Sequence, residues 1–87
     1  MAEATYIQNL SRKMVREFVA GELKAHRVSF KLTQQSVANE AGIHRISLCR
    51  YETGVWQPST KMVARIIAAI DRLGLALTIE GSAKTTK

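Results

Sequence analysis

Residues 33–52 read "TQQSVANEAGIHRISLCRYE", and the reading of the whole chain turns on them. Thr33 offers a hydroxyl N-cap to a short helix, "QQSVANEA", in which Val37, Ala38 and Ala41 form an inward seam. Gly42 stops that helix, because glycine adopts a left-handed helix end without strain. A further helix follows at once, from about His44 to Tyr51. Setting its residues about 100° apart turns Ile43, Ser47, Leu48 and Tyr51 toward a core. Arg45, Ile46 and Cys49 then fall on the opposite side, an odd set for a face that meets only water.

Working outward, "YIQNLSRKMVREFVAGELKAHRVS" spaces Ile7, Leu10, Met14 and Phe18 by threes and fours, with Val15, Val19 and Leu23 widening the stripe. The stripe is read as core plus dimer surface. Gly21 weakens the helix by about 1 kcal/mol relative to alanine and allows a break or kink there. Downstream, "TGVWQPS" is a loop: Gly54 ends the third helix, and Pro58 and Ser59 announce the next. That fourth helix, "TKMVARIIAAIDRL", puts Met62, Val63, Ile66, Ile67 and Ile70 on one face, and Gly74 is expected to end it.

The period then changes. Leu75, Leu77 and Ile79 alternate with Ala76, Thr78 and Glu80, which is a strand pattern. A lone strand needs a partner for its backbone groups, and a second copy across a two-fold axis would supply one; the alternative is that the segment merely extends the last helix. Leu75, Leu77, Thr78 and Ile79 are the expected dimer-strand residues. The fold expected is therefore all-α, four to five helices, plus a short C-terminal strand pairing between two subunits. Its parts are a flexible N-terminal tail at 1–5, a helical domain at 6–74, a dimerising strand at 75–80 and a flexible basic tail at 81–87.

The chain has 87 residues, a one-domain length, and a chain so short buries only about 60% of its unfolded surface, so association is a reasonable expectation. Thirteen Lys+Arg against seven Asp+Glu give a net charge of +6, which favours a polyanionic partner. The longest wholly apolar run, "IIAAI", falls far short of the roughly 20 residues of a membrane span. No signal peptide is readable, and a single cysteine suits a reducing compartment, so a cytoplasmic, nucleoid-associated protein is expected. His26, His44 and Cys49 have no metal-site spacing, and no cofactor is expected. There is no phosphate-binding glycine loop, no spaced carboxylate pair and no nucleophile with an evident base, so no enzyme reading stands. A membrane-surface helix fits poorly, since the third helix is short and its outer face mixed.

A DNA major groove accounts for that outer face. Arginine can bind guanine through two hydrogen bonds, and an exposed isoleucine can pack on a thymine methyl. Arg50 at the flank suits a phosphate or an edge contact. Between His44 and Ile70 the chain carries Arg45, Arg50, Lys61 and Arg65 against one acid, Glu52. Lys61 and Arg65 are candidate phosphate contacts. Cys49 reads as an incidental small residue or an oxidant sensor, and Trp56 as a lid on the core or a contact to a partner.

The order Arg27, Gln34, Ala38, Gly42, Ile43, Leu48, Glu52, Gly54, Pro58 resembles the Cro/C1-type (XRE family) helix-turn-helix regulators over about residues 20–70. The resemblance implies an internal ion pair between Arg27 and Glu52, which would consume the one acid of the basic face. It also implies that Gln34 bonds a phosphate and helps orient the third helix, with Thr33 donating nearby. Arg45 and Ile46 match the base-reading positions, with His44, Cys49 and Arg50 around them. The family often has polar side chains where this chain has Ile46 and Cys49, so specificity would rest more on Arg45 and on DNA shape. The tail "IIAAIDRLGLALTIE" is similar to that of HipB-type antitoxins. The function implied is a sequence-specific transcriptional repressor, binding a pseudo-palindromic double-stranded operator as a homodimer. The alternative is a type II antitoxin that neutralises a toxin protein and represses its own operon. A third reading is an adaptor that reuses the fold for protein contacts.

Overall fold

A computed structural model describes the backbone over residues 2–85 and side chains over residues 12–78. Four helices follow in order: α1 (Ala2–Ser29), α2 (Gln34–Ala41), α3 (Arg45–Glu52) and α4 (Thr60–Thr85). Two long helices, α1 and α4, hold the two short ones between them. α4 packs across α2, α1 packs on α3 and α4, and α2 meets α3.

Local chemistry sets each boundary. α1 closes on Lys31, which takes a left-handed φ of 57° without being glycine. The Leu32 N–H then reaches back to the Arg27 carbonyl at 3.3 Å, and the half-buried Leu32 side chain packs on the core. Thr33 caps α2, its hydroxyl accepting from the Ser36 N–H at 3.1 Å. Gly42, at φ 72°, ends α2, and the Ile43 N–H returns to the Ala38 carbonyl at 3.0 Å. Ser59 caps α4 by accepting from the Met62 N–H at 3.1 Å.

The core is Leu23 from α1, Val37, Ala38 and Ala41 from α2, Leu48 from α3, and Ile66, Ala69 and Ile70 from α4. Alanines at three of these positions let the helices approach closely while five larger side chains fill the centre. Two surface pairs tie α4 to its neighbours: His26 to Asp71 at 2.7 Å, and Arg72 to Glu40 at 3.3 Å.

The C-terminal strand is overturned. Leu75, Leu77, Thr78 and Ile79 lie in α4, which runs through Gly74 to Thr85 without a break. Gly74 is buried against the Phe30 ring, and a Cβ there would lie 2.7 Å from Phe30 Cδ1. The glycine is thus used for close packing and not as a helix stop. Alanine and leucine are strong helix formers, and Thr78 turns its hydroxyl onto the Gly74 carbonyl at 3.0 Å, a bond made within a helix turn. Leu75 and Leu77 are exposed; the Ile79 side chain lies outside the described residues.

α1 begins at Ala2 and α4 ends at Thr85, so helical backbone runs into the segments 1–5 and 81–87 expected as tails; Met1, Thr86 and Lys87 lie outside the described residues. α1 passes Gly21 as continuous helix. Its buried face is Ala20, Leu23 and Arg27 with Val19 beside them, while Met14 and Phe18, taken from the apolar stripe, point away from the core. The Ile7 and Leu10 side chains lie outside the described residues. On α4, Ile66 and Ile70 are buried, Met62 and Val63 are half-buried, and Ile67 lies nearer the surface.

Gly74→Ala is expected to lower stability by about 1–3 kcal/mol despite alanine's better helix propensity, because the methyl strikes the Phe30 ring. A urea melt reads the loss as a lower midpoint. In a Phe30→Ala background the same change is expected to stabilise by up to about 1 kcal/mol.

Candidate nucleic-acid interface

The orientation of α3 depends on one buried carboxylate. Glu52, in the last turn of α3, has a side chain only 2% exposed, and Arg27, near the end of α1, is 11% exposed. Arg27 Nε donates to Glu52 Oε2 at 2.8 Å and Nη2 donates to Oε1 at 2.8 Å, a planar two-bond match. The third nitrogen, Nη1, donates to the Leu32 carbonyl at 2.7 Å. Gln34 Nε2 adds a bond to Glu52 Oε1 at 3.2 Å. Those hydrogen bonds to Glu52 hold the Arg27 guanidinium above its ordinary pKa although burial works the other way.

The network joins the end of α1, the turn after it, the start of α2 and the end of α3. It includes the Arg27–Glu52 pair that the family resemblance implied. The Gln34 amide nitrogen is held by Glu52, which ties the start of α2 to the end of α3 and leaves the Gln34 amide oxygen and backbone N–H at the α2 start.

α3 has only eight residues and reaches the core through the buried Leu48 and the half-buried Tyr51, so neighbours fix its position. His44 is its N-cap in extended backbone conformation, with no side-chain cap bond. The outer surface then presents Arg45 and Ile46, the latter 56% exposed. An open concavity beside them is lined by Gln35, His44, Arg45, Ile46, Ser47 and Arg50. The structure thus brings His44, Arg45, Ile46 and Arg50 onto one surface. Cys49, expected in the same outer set, is half-buried and does not line this concavity.

The other expected phosphate contacts spread around this surface. Thr33 is exposed at the α2 start, where its hydroxyl also donates to Ser36 Oγ at 3.1 Å. Lys61 is exposed in the first turn of α4. Arg65 is exposed too, and its guanidinium sits over the α2–α3 turn, with Nη2 2.9 Å from where a Gly42 Cβ would stand. Among the described residues the three ion pairs are His26–Asp71, Arg27–Glu52 and Arg72–Glu40, and none of them uses Arg45, Arg50, Lys61 or Arg65.

One partner went unread in the sequence. The Arg50 guanidinium lies 4.6 Å over the Trp56 ring, and Trp56 meets Tyr51 edge-on with centroids 5.9 Å apart. Trp56 is 41% exposed, so it is neither a sealed lid nor a free ring. The six-residue separation of Arg50 and Trp56 spans a helix end and a turn, and no helical spacing could have signalled it.

Two short helices joined at Gly42, the second with a basic outer face, define a helix-turn-helix DNA-binding protein. The helix-turn-helix family model matches residues 23–76, and the chain belongs to that Cro/C1-type family of transcription regulators. Searches of curated proteins and of solved structures returned no match. No helix among the described residues is long and apolar enough to cross a membrane.

Removing either partner of the buried pair, as Arg27→Ala or Glu52→Ala, is expected to cost about 3–5 kcal/mol in chemical denaturation. The double variant Arg27→Met/Glu52→Leu should lose clearly less than the sum, since both charges leave together.

Proposed function

We propose that this regulator is a repressor that reads its operator by laying α3 in the major groove as a homodimer. The observation that carries this reading is the outer face of α3, where Arg45 and Ile46 stand exposed beside His44 and Arg50, and where no carboxylate among the described residues pairs with either arginine. The one nearby acid, Glu52, is occupied by Arg27. Arg45 is the base reader, with two donors for guanine O6 and N7, and Ile46 offers apolar contact to a thymine methyl. His44 lies at the edge of that contact. Thr33, Gln34, Arg50, Lys61 and Arg65 meet phosphates and set the register of the protein on the duplex. Two subunits would read half-sites about one turn (~34 Å) apart on a pseudo-palindrome. Bound at a promoter, such a dimer blocks transcription by occupancy.

The antitoxin alternative drew on a strand-forming tail that α4 replaces with helix, and the repressor is the reading carried forward.

Capture of random genomic fragments at physiological salt, followed by sequencing, tests it. A single enriched palindrome is the expected result, and a folded protein that enriches none would favour the protein-adaptor reading. On the enriched site, Arg45→Ala is expected to cost about 1–3 kcal/mol and to relax preference at one base pair. An equal loss on all sequences would reassign Arg45 to phosphate. Trp56→Leu removes the platform under Arg50, so affinity should fall by about 0.5–1 kcal/mol on every sequence with base preference unchanged, as read by competition binding.

A further inference from the structure

The family match begins at Leu23, so most of α1 precedes it. On the side of α1 away from Ala20, Leu23 and Arg27, Met14 is 57% exposed, Phe18 66% and Val28 51%. Gly21 and Ala25 are exposed between them. The positions 14, 18, 21, 25 and 28 alternate steps of four and three, the 3.5-residue repeat of a helix seam made for another helix. A Cβ at Gly21 would meet nothing within 4 Å, so no contact among the described residues explains a glycine in the middle of a continuous helix. Glu17 and Lys24 flank the seam on one side, one heptad apart; both are exposed and outside the ion pairs of the described residues.

We propose that α1 pairs antiparallel with α1 of a second copy of this chain along Met14, Phe18, Gly21, Ala25 and Val28. The pairing deepens the homodimer reading above and rests on it. About a two-fold axis, Phe18 lies opposite the partner's Gly21 and Met14 opposite the partner's Ala25, so each large side chain faces a small one. Both matches occur twice, because an isologous interface repeats each contact. The antiparallel arrangement also turns the Glu17–Lys24 flank onto itself, setting Glu17 beside the partner's Lys24. A parallel pair fails on both counts. It would set Glu17 beside the partner's Glu22 and glycine opposite glycine, leaving a like-charge contact and a void. Self-complementarity of size and of charge thus select the same occupant and the same direction.

Sedimentation of the full DNA-free chain is the test. The unaltered protein should be a dimer. Phe18→Glu and Glu17→Lys should each weaken self-association by at least about tenfold with an unchanged circular dichroism spectrum, since both side chains are exposed in the single chain. Glu17→Lys/Lys24→Glu should restore the dimer, which a merely unfolded variant could not do. Direction is read by mixing Met14→Cys and Ala25→Cys variants in a Cys49→Ser background under mild oxidation. Mixed disulfides are expected, and disulfides only between like variants would overturn the antiparallel pair. A monomeric unaltered protein, or a dimer indifferent to Phe18→Glu, would overturn the interface. Either result, obtained beside an enriched DNA site, would leave the DNA-binding reading standing.

Discussion

The Glu52 carboxylate is the constraint on which the rest of the structure depends. Its two oxygens collect a two-bond contact from Arg27 and a bond from Gln34, while Arg27 spends its remaining nitrogen on the Leu32 carbonyl. Two charges held this far from water are costly to desolvate, and they persist because the guanidinium geometry matches the carboxylate and the remaining sites are filled. No buried side-chain nitrogen or oxygen among the described residues lacks a partner. The same contact has an electrostatic consequence. It removes the one acid between His44 and Ile70 from the surface, so the outer side of α3 meets solvent as uncompensated positive charge.

The outer face of α3 is a tertiary product more than a helical one. α3 spans two turns, carries no side-chain N-cap bond and buries Leu48 and Glu52. A helix of that length does not persist alone in water. Its position is set by Leu48 in the core, by Glu52 on α1, and by Gly42, which admits both a left-handed turn and the close approach of Arg65. Residues that suit a groove better than a core, such as Ile46 and Arg45, can then stand outward without weakening the fold.

The two long helices extend this unit. α1 has 28 residues and α4 has 26, while the family match covers residues 23–76. Much of α1 therefore lies outside the shared domain, and it carries its largest exposed apolar side chains away from the domain's core. A face that opposes the core is free to be shaped by a second surface, and the size and charge order from Met14 to Val28 has that character.

Short-range rules made much of this protein legible in its sequence. Capping by Thr33 and Ser59, the left-handed stop at Gly42, the seam of Val37, Ala38 and Ala41, and the outward placement of Arg45 and Ile46 follow from local geometry and helical spacing, which act within a turn or two. The Arg27–Glu52 pair was reached through family resemblance, since no spacing rule links residues 25 positions apart. Tertiary structure decided the rest. Whether Gly74 ends a helix depended on Phe30, which is remote in sequence, and with it went the alternation from Leu75 to Ile79 that reads as strand. Which side of α1 faces inward was settled by the neighbours that cover Ala20 and Leu23, leaving Met14 and Phe18 outside. Cys49 was half-buried by its neighbours, and Trp56 was set beneath Arg50 by the turn between them. A glycine or an apolar stripe carries the same local signal in either role, and only the groups that pack against it distinguish the two.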